Sequence, residues 1–203
     1  MRIALLAEGR TERVFLPYLR EFVNSKLGEM TKPRIGGIIA NGRVNTHEKL
    51  RRQVVELLRK DFDHVVALTD VYTGSNPPEF KDAADARQKM RTWVGPEPRF
   101  HPHAAQHDFE AWLLPYWTTI RKMANRNAAA PKGLPESVNH GKPPAHRLRE
   151  LFESEGRTRS YSKTRDADAI LRKCGLTLAV EKCPELKSLV NTILTISGGM
   201  PLR

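Results

Sequence analysis

The chain has 203 residues, with 34 Lys and Arg against 23 Asp and Glu for a formal charge of +11, and two cysteines. That length can bury one full core without staples, and 39% hydrophobic with 28% charged residues excludes a disordered chain or a disulfide scaffold. No apolar run approaches the roughly 20 residues of a bilayer span, and residues 3–7 run straight into Glu8 and Arg10 with no cleavage region, so a cytoplasmic protein with reduced Cys174 and Cys183 is expected.

Taken in chain order, residues 3–7 read as a buried strand, after which Val14, Phe15, Tyr18, Leu19, Phe22 and Val23 recur at helical spacing behind Thr11, a fitting N-cap. A Gly-containing segment follows at 35–42. From Asn45 a second helical pattern places Leu50, Val54, Leu57 and Leu58 on one face, with Asn45 and Glu48 spaced as a capping box. Residues 64–69 form a β-branched run ending at Asp70, a second buried strand. Beyond the Gly-Pro loop at 73–80, the spacing of Ala83, Ala86, Met90 and Trp93 predicts a helix, and residues 99–105 predict a third strand followed by Asp108 and Glu110. Strands alternating with helices of this length indicate an α/β fold with a mostly parallel sheet covered on both faces.

This α/β domain is expected to span 1–124. Residues 125–144 carry Ala, Pro, Gly and Lys with little periodicity and read as a loop or linker. Residues 145–203 return to helical patterns, with Leu148, Leu151 and Phe152, then Ala169 to Leu171, then Leu186, Leu189, Val190 and Ile193. They read as a small helical appendage packing on the first domain.

The positive charge points to a polyanionic partner, nucleic acid above all. Against it stand acidic residues in one recurring context. Glu8, Asp70 and the pair Asp108 and Glu110 each lie just beyond a predicted strand. In a parallel sheet these strand ends share one edge, so the carboxylates are expected to converge there. Clustered carboxylates repel unless a cation neutralises them, and oxygen donors suit Mg²⁺ or Mn²⁺, the usual equipment for phosphoryl transfer.

The segments Glu8-Gly9-Arg10-Thr11-Glu12, Asp70-Val71-Tyr72 and His107-Asp108-Phe109-Glu110-Ala111-Trp112-Leu113-Leu114 resemble, in order, the motifs of the bacterial family catalogued as domain of unknown function 4276. Lys142-Pro143-Pro144, Tyr161-Ser162-Lys163 and Cys183-Pro184-Glu185-Leu186 continue the resemblance over nearly the whole chain. It implies a Toprim-like fold, related to the nuclease domains of overcoming-lysogenisation-defect proteins, in which a glutamate after the first strand and an Asp-x-Asp after a later one organise Mg²⁺ for phosphodiester chemistry. By position Glu8 is then a metal ligand or general acid/base and Asp70 a metal ligand. The chain departs from that pattern at Tyr72, which stands where the second Asp would be. A second metal position therefore falls to Asp108 or Glu110 or is absent. Family members more often carry Glu at Asp108, one methylene longer. The resemblance also implies a role beside a partner ATPase in phage defence or a mobile element.

Arg10 and Arg13 flank the first helix start and suit a backbone phosphate. His107 is a candidate phosphate contact or hydrogen-bond support. Lys163, in a basic stretch with Arg157, Arg159 and Arg165, is a candidate for stabilising charge on a phosphate. His101, His103 and His107 lack a completing Cys for zinc. Gly36, Gly37 and Gly42 lack Walker spacing, so ATP hydrolysis would come from a partner chain. Two readings follow: a Mg²⁺- or Mn²⁺-dependent nuclease with Glu8, Asp70, Glu110 and Lys163 in catalysis, or a non-catalytic module that binds DNA, RNA or an ATPase.

Overall fold

A computed structural model describes residues 1–40, 44–72, 78–138, 141–153 and 160–203. Four parallel strands, β1 (Arg2–Ala7), β2 (Arg34–Ile39), β3 (His64–Asp70) and β4 (Phe100–Ala105), form one sheet in the order β2-β1-β3-β4. Helix α1 (Arg10–Leu27) joins β1 to β2, α2 (His47–Arg59) joins β2 to β3, and α3 (Ala83–Val94) joins β3 to β4. After β4 come a 3-10 helix (Phe109–Tyr116), α4 (Trp117–Met123), a 3-10 turn (Pro135–Ser137), α5 (Pro144–Phe152), α6 (Lys163–Cys174), α7 (Thr177–Lys182) and α8 (Pro184–Ile196).

The sheet is covered on both faces because alternate side chains of its central strands are apolar throughout. Ala4, Leu6, Val65 and Ala67 pack with α2 and α3, while Ile3, Leu5, Val66 and Leu68 pack with α1 and the helices that follow β4. Leu148, Ile170, Leu186, Leu189 and Ile193 belong to the same core as Phe15 and Leu5, so the C-terminal helices complete one face of the sheet. Gly37 permits close approach of α1, since a Cβ there would lie 2.9 Å from Leu16 Cδ2. Edge strand β4 carries Pro102. Val65 and Val71 donate to the carbonyls of Arg99 and Ala105, so odd residues of β4 face β3 and Pro102 turns its missing N–H outward. Among the described residues no helix is long and apolar enough to cross a membrane.

Local details differ from the sequence expectations. Helix α1 starts two residues earlier than a Thr11 cap implies, with Gly9 at the N-cap and Glu12 reaching back to the Gly9 N–H at 3.0 Å. Thr46 rather than Asn45 caps α2, and Asn45 instead donates to Gln53 Oε1 at 2.7 Å. Gly42, Arg157, Arg159 and most of the 73–80 loop lie outside the described residues.

Candidate functional site

Strand order reverses between β1 and β3, because β1 is followed outward by β2 on one side while β3 and β4 lie on the other. Such a switch point opens a crevice at the carboxyl ends of the strands. Glu8 follows β1 there, Asp70 ends β3, and Asp108 and Glu110 follow β4. The register aligns Ala7 with Leu68, which puts Glu8 beside Thr69. The Thr69 hydroxyl donates to Glu8 Oε1, and the Asp70 N–H donates to the same oxygen at 3.1 Å.

Glu110 is placed by the apolar residues around it. Phe109 and Trp112, three apart on a 3-10 turn, fall on one side and pack with Phe15, ring centroids 5.4 to 5.7 Å apart. Glu110 is fully buried, and Lys163 Nζ, from the first turn of α6, donates to its Oε2 at 3.3 Å while the Tyr161 hydroxyl lies 3.5 Å from Oε1. Asp166, also fully buried, accepts the Ser162 N–H at 2.8 Å and so fixes the start of α6 that carries Lys163. Asp108 Oδ2 accepts the Ala145 N–H at the start of α5 at 3.0 Å, whereas its Oδ1 is buried without a hydrogen-bond partner among the described residues.

Electrostatically these groups form one cluster with Glu12. Burial, then the Glu12 charge, pushes Glu8 up to about 7 against the pull of its Thr69 and Asp70 donors. Asp108 is pushed up to about 7 by burial and Glu110. Asp70 rises well above the carboxylate range through burial, then Glu12, Glu8, Glu110 and Asp108. Glu12 is raised by burial and Glu110, with Lys163 opposing. Burial lowers the Lys163 ammonium, but Glu110, Asp70 and Asp108 outweigh it and hold its pKa above the ordinary value. The Tyr161 phenol is raised by burial and by Glu110, Asp166 and Asp108, so it stays protonated. Lys163 is the cation that the described residues bring into this cluster, and Glu8 and Asp108, each pushed up to about 7, exchange protons near neutral pH.

A hard divalent cation fits this donor set in kind, since all the donors are carboxylate oxygens and Asp108 Oδ1 is an orphaned acceptor. Among the described residues no three His, Cys, Asp or Glu side chains are grouped to hold a metal ion.

The other candidates divide. Arg10 and Arg13 are exposed at the start of α1. Tyr72 is 55% exposed at the end of β3, and its N–H donates to the His107 carbonyl at 2.6 Å. His107 is buried in a left-handed backbone conformation, φ 70°, with burial lowering its pKa, so it turns the chain after β4 as a neutral ring. Arg165 pairs with Asp166 at 3.2 Å. His101 and His103 lie on β4, away from His107 beyond its end. Cys183 is buried at the N-cap of α8 with Pro184 in its first turn, as a helix start.

The sequence model of a family described as Domain of unknown function (DUF4276) matches residues 7–194. The chain belongs to that family. The DUF4276 match runs from the end of β1 into α8 and contains every carboxylate of the cluster as well as Lys163. No curated protein and no solved structure matches the chain.

Sequence reading missed Glu12 as a member of the cluster, although a Glu three residues after a helix cap is a recognisable signal. It also missed Glu136, which is buried on the 3-10 turn and accepts Trp112 Nε1–H at 2.8 Å and the Glu185 N–H at 3.0 Å. Nothing local marks Glu136, because its partners lie 24 and 49 residues away.

Proposed function

We propose that this protein is a Toprim-like, metal-dependent hydrolase of nucleic-acid phosphodiesters, acting at the crevice between β1 and β3. The observation that carries the reading is the convergence of Glu8, Glu12, Asp70, Asp108 and Glu110 on one sheet edge with Lys163 among them, in a chain of charge +11. Uncompensated, so many buried acids raise one another's pKa. Mg²⁺ or Mn²⁺ held by Asp70, Asp108, Glu110 and Glu8 would relieve that repulsion, and such an ion supplies an activated water and charge stabilisation at the phosphate. Glu8, poised at about 7, matches the requirement for a residue that moves a proton at neutral pH. Lys163 offers an ammonium to the charge that grows on the phosphate. Arg10 and Arg13, exposed at the same edge, suit the flanking backbone.

A second reading is a non-catalytic module that binds nucleic acid or a partner ATPase. The exposed Tyr72 in place of an acid favours it. Incubation of the purified chain with single- and double-stranded DNA and RNA, with and without Mn²⁺, separates the two. The hydrolase reading expects Mn²⁺-dependent cleavage that Glu8→Gln and Asp70→Asn abolish. Binding that weakens with salt but no cleavage of any of the four substrates supports the second reading.

A further inference from the structure

The opposite end of the sheet carries a pair of imidazoles that the carboxylate site does not use. His64 opens β3 and His101 is the second residue of β4, opposite Val66 in the register. Their side chains meet with His64 Nδ1 and His101 Nε2 3.1 Å apart, ring centroids at 5.2 Å and planes inclined by 46°. The rings are not stacked; one nitrogen of each is aimed at the other. We propose that His64 and His101 form a binding site for a divalent transition-metal ion of the Zn²⁺ class, clipping the amino ends of β3 and β4 together.

The distance supports an ion in that position. Two imidazole nitrogens at about 2.0–2.1 Å from one ion stand roughly 3.3–3.4 Å apart in a tetrahedral site and about 2.9 Å apart at a right angle. The observed 3.1 Å lies between these, so a shift of a few tenths of an ångström admits the metal. Imidazole pairs select Zn²⁺, Ni²⁺ and Cu²⁺ over the Mg²⁺ that the carboxylate edge suits. Without metal, one of the two facing nitrogens donates its N–H to the lone pair of the other. On binding, that proton moves through water to the far nitrogen of the same ring, so both facing nitrogens present lone pairs and each ring is neutral before and after. Burial lowers the pKa of both histidines, which keeps them neutral for this exchange.

The surroundings leave room for further ligands, but among the described residues they supply no third side chain. Asp63 Oδ2 accepts the Arg2 N–H at 2.6 Å, and Glu97 is paired with Arg99 at 3.0 Å. Among the described residues no three-ligand group is present, so water completes the coordination. It has access through an open cleft of about 580 Å³ between β4 and α8, which His101 lines with Lys187, Ser188 and Asn191. His103 is separate, turned to Thr192 Oγ1 at 3.0 Å. His64 and Asp70 stand at opposite ends of the seven-residue β3, about 20 Å apart at strand rise, so this site is independent of the hydrolase reading.

The test is calorimetric titration of the metal-free full chain with Zn²⁺ in excess Mg²⁺, together with histidine ring NMR of the unsubstituted protein. One equivalent of Zn²⁺ is expected to bind and to move two histidine ring signals, with affinity at least tenfold weaker in His64→Gln and in His101→Gln and unchanged in Asp70→Asn. Should either histidine variant fail to fold, the ring signals of the unsubstituted protein decide. Ring signals that stay in place at saturating Zn²⁺, or binding that survives in folded histidine variants and falls in Asp70→Asn, would overturn the proposal.

Discussion

Glu136 and the edge carboxylates Glu8, Asp108 and Glu110 are all buried, and their oxygens are satisfied in opposite ways. Both Glu136 oxygens are taken by N–H donors: Oε1 accepts from the Trp112 indole at 2.8 Å, and Oε2 accepts from the Glu185 N–H at the start of α8 at 3.0 Å. That carboxylate ties the 3-10 helix after β4 to α8. Along the sheet edge, by contrast, carboxylates face carboxylates, and among the described residues Asp108 Oδ1 has no donor and one lysine answers several acids. A buried acid surrounded by donors holds a fold together, whereas a group of buried acids without enough donors is held together by the fold. The second arrangement costs stability and leaves acceptors ready for a cation.

The largest effect that can break this contrast is on cleavage. Glu8→Gln keeps the hydrogen-bonding shape but cannot move a proton, so Mn²⁺-dependent cleavage should fall by about 10²–10⁴-fold, measured at saturating substrate. Cleavage that persists in this variant would place the proton step elsewhere.

Next is stability against pH in the absence of metal. Glu8 goes from its ordinary 4.5 to about 7 on folding, so between those values the folded chain binds more protons than the unfolded one. Its contribution is therefore present below about 4.5 and is lost as pH rises through about 7. The amount is on the order of 3 kcal/mol. His103, held down to about 3 by burial, works in the opposite sense below its ordinary 6.5. The measurement is thus the difference in denaturant stability between wild type and Glu8→Gln, which should shift toward the variant as pH rises from 5 to 8.

Glu136→Ala should behave as the reverse of an edge substitution. It strands the Trp112 and Glu185 donors and should cost about 1–3 kcal/mol, read from urea midpoints. An unchanged midpoint would show that water replaces the carboxylate. The smallest effect concerns Arg10 and Arg13, both exposed. Arg10→Ala with Arg13→Ala should weaken nucleic-acid binding similarly across sequences and reduce the salt slope by about 0.7–0.9 for each phosphate that an arginine no longer neutralises.

Much of the fold was legible in the sequence because its strands are buried on both faces and read as uninterrupted apolar runs. Residues 3–7 and 64–69 are strands in place, and the position of Glu8 and Asp70 just past their apolar runs already placed them on one edge. Strand β2 was less visible, since Gly36 and Gly37 lower its apolar content, Gly37 to let α1 approach and Gly36 against Phe62. The predicted strand at 99–105 and the motif at 107–114 marked the segment that carries Glu110, but not that Lys163, 53 residues on, would meet it. Glu136 and the His64–His101 pair were invisible for the same reason. Their partners are set by how α8 and β4 pack, and no local periodicity records that.

A cation site at the carboxylate edge is put to the sharpest test by titrating the metal-free chain with Mn²⁺ in two buffers of different ionisation heat at pH 7. Because Glu8 and Asp108 are held near 7 by burial and by neighbouring acids, saturable binding accompanied by proton release is expected, both removed by Asp70→Asn. No binding, or binding without proton release that survives Asp70→Asn, would contradict it.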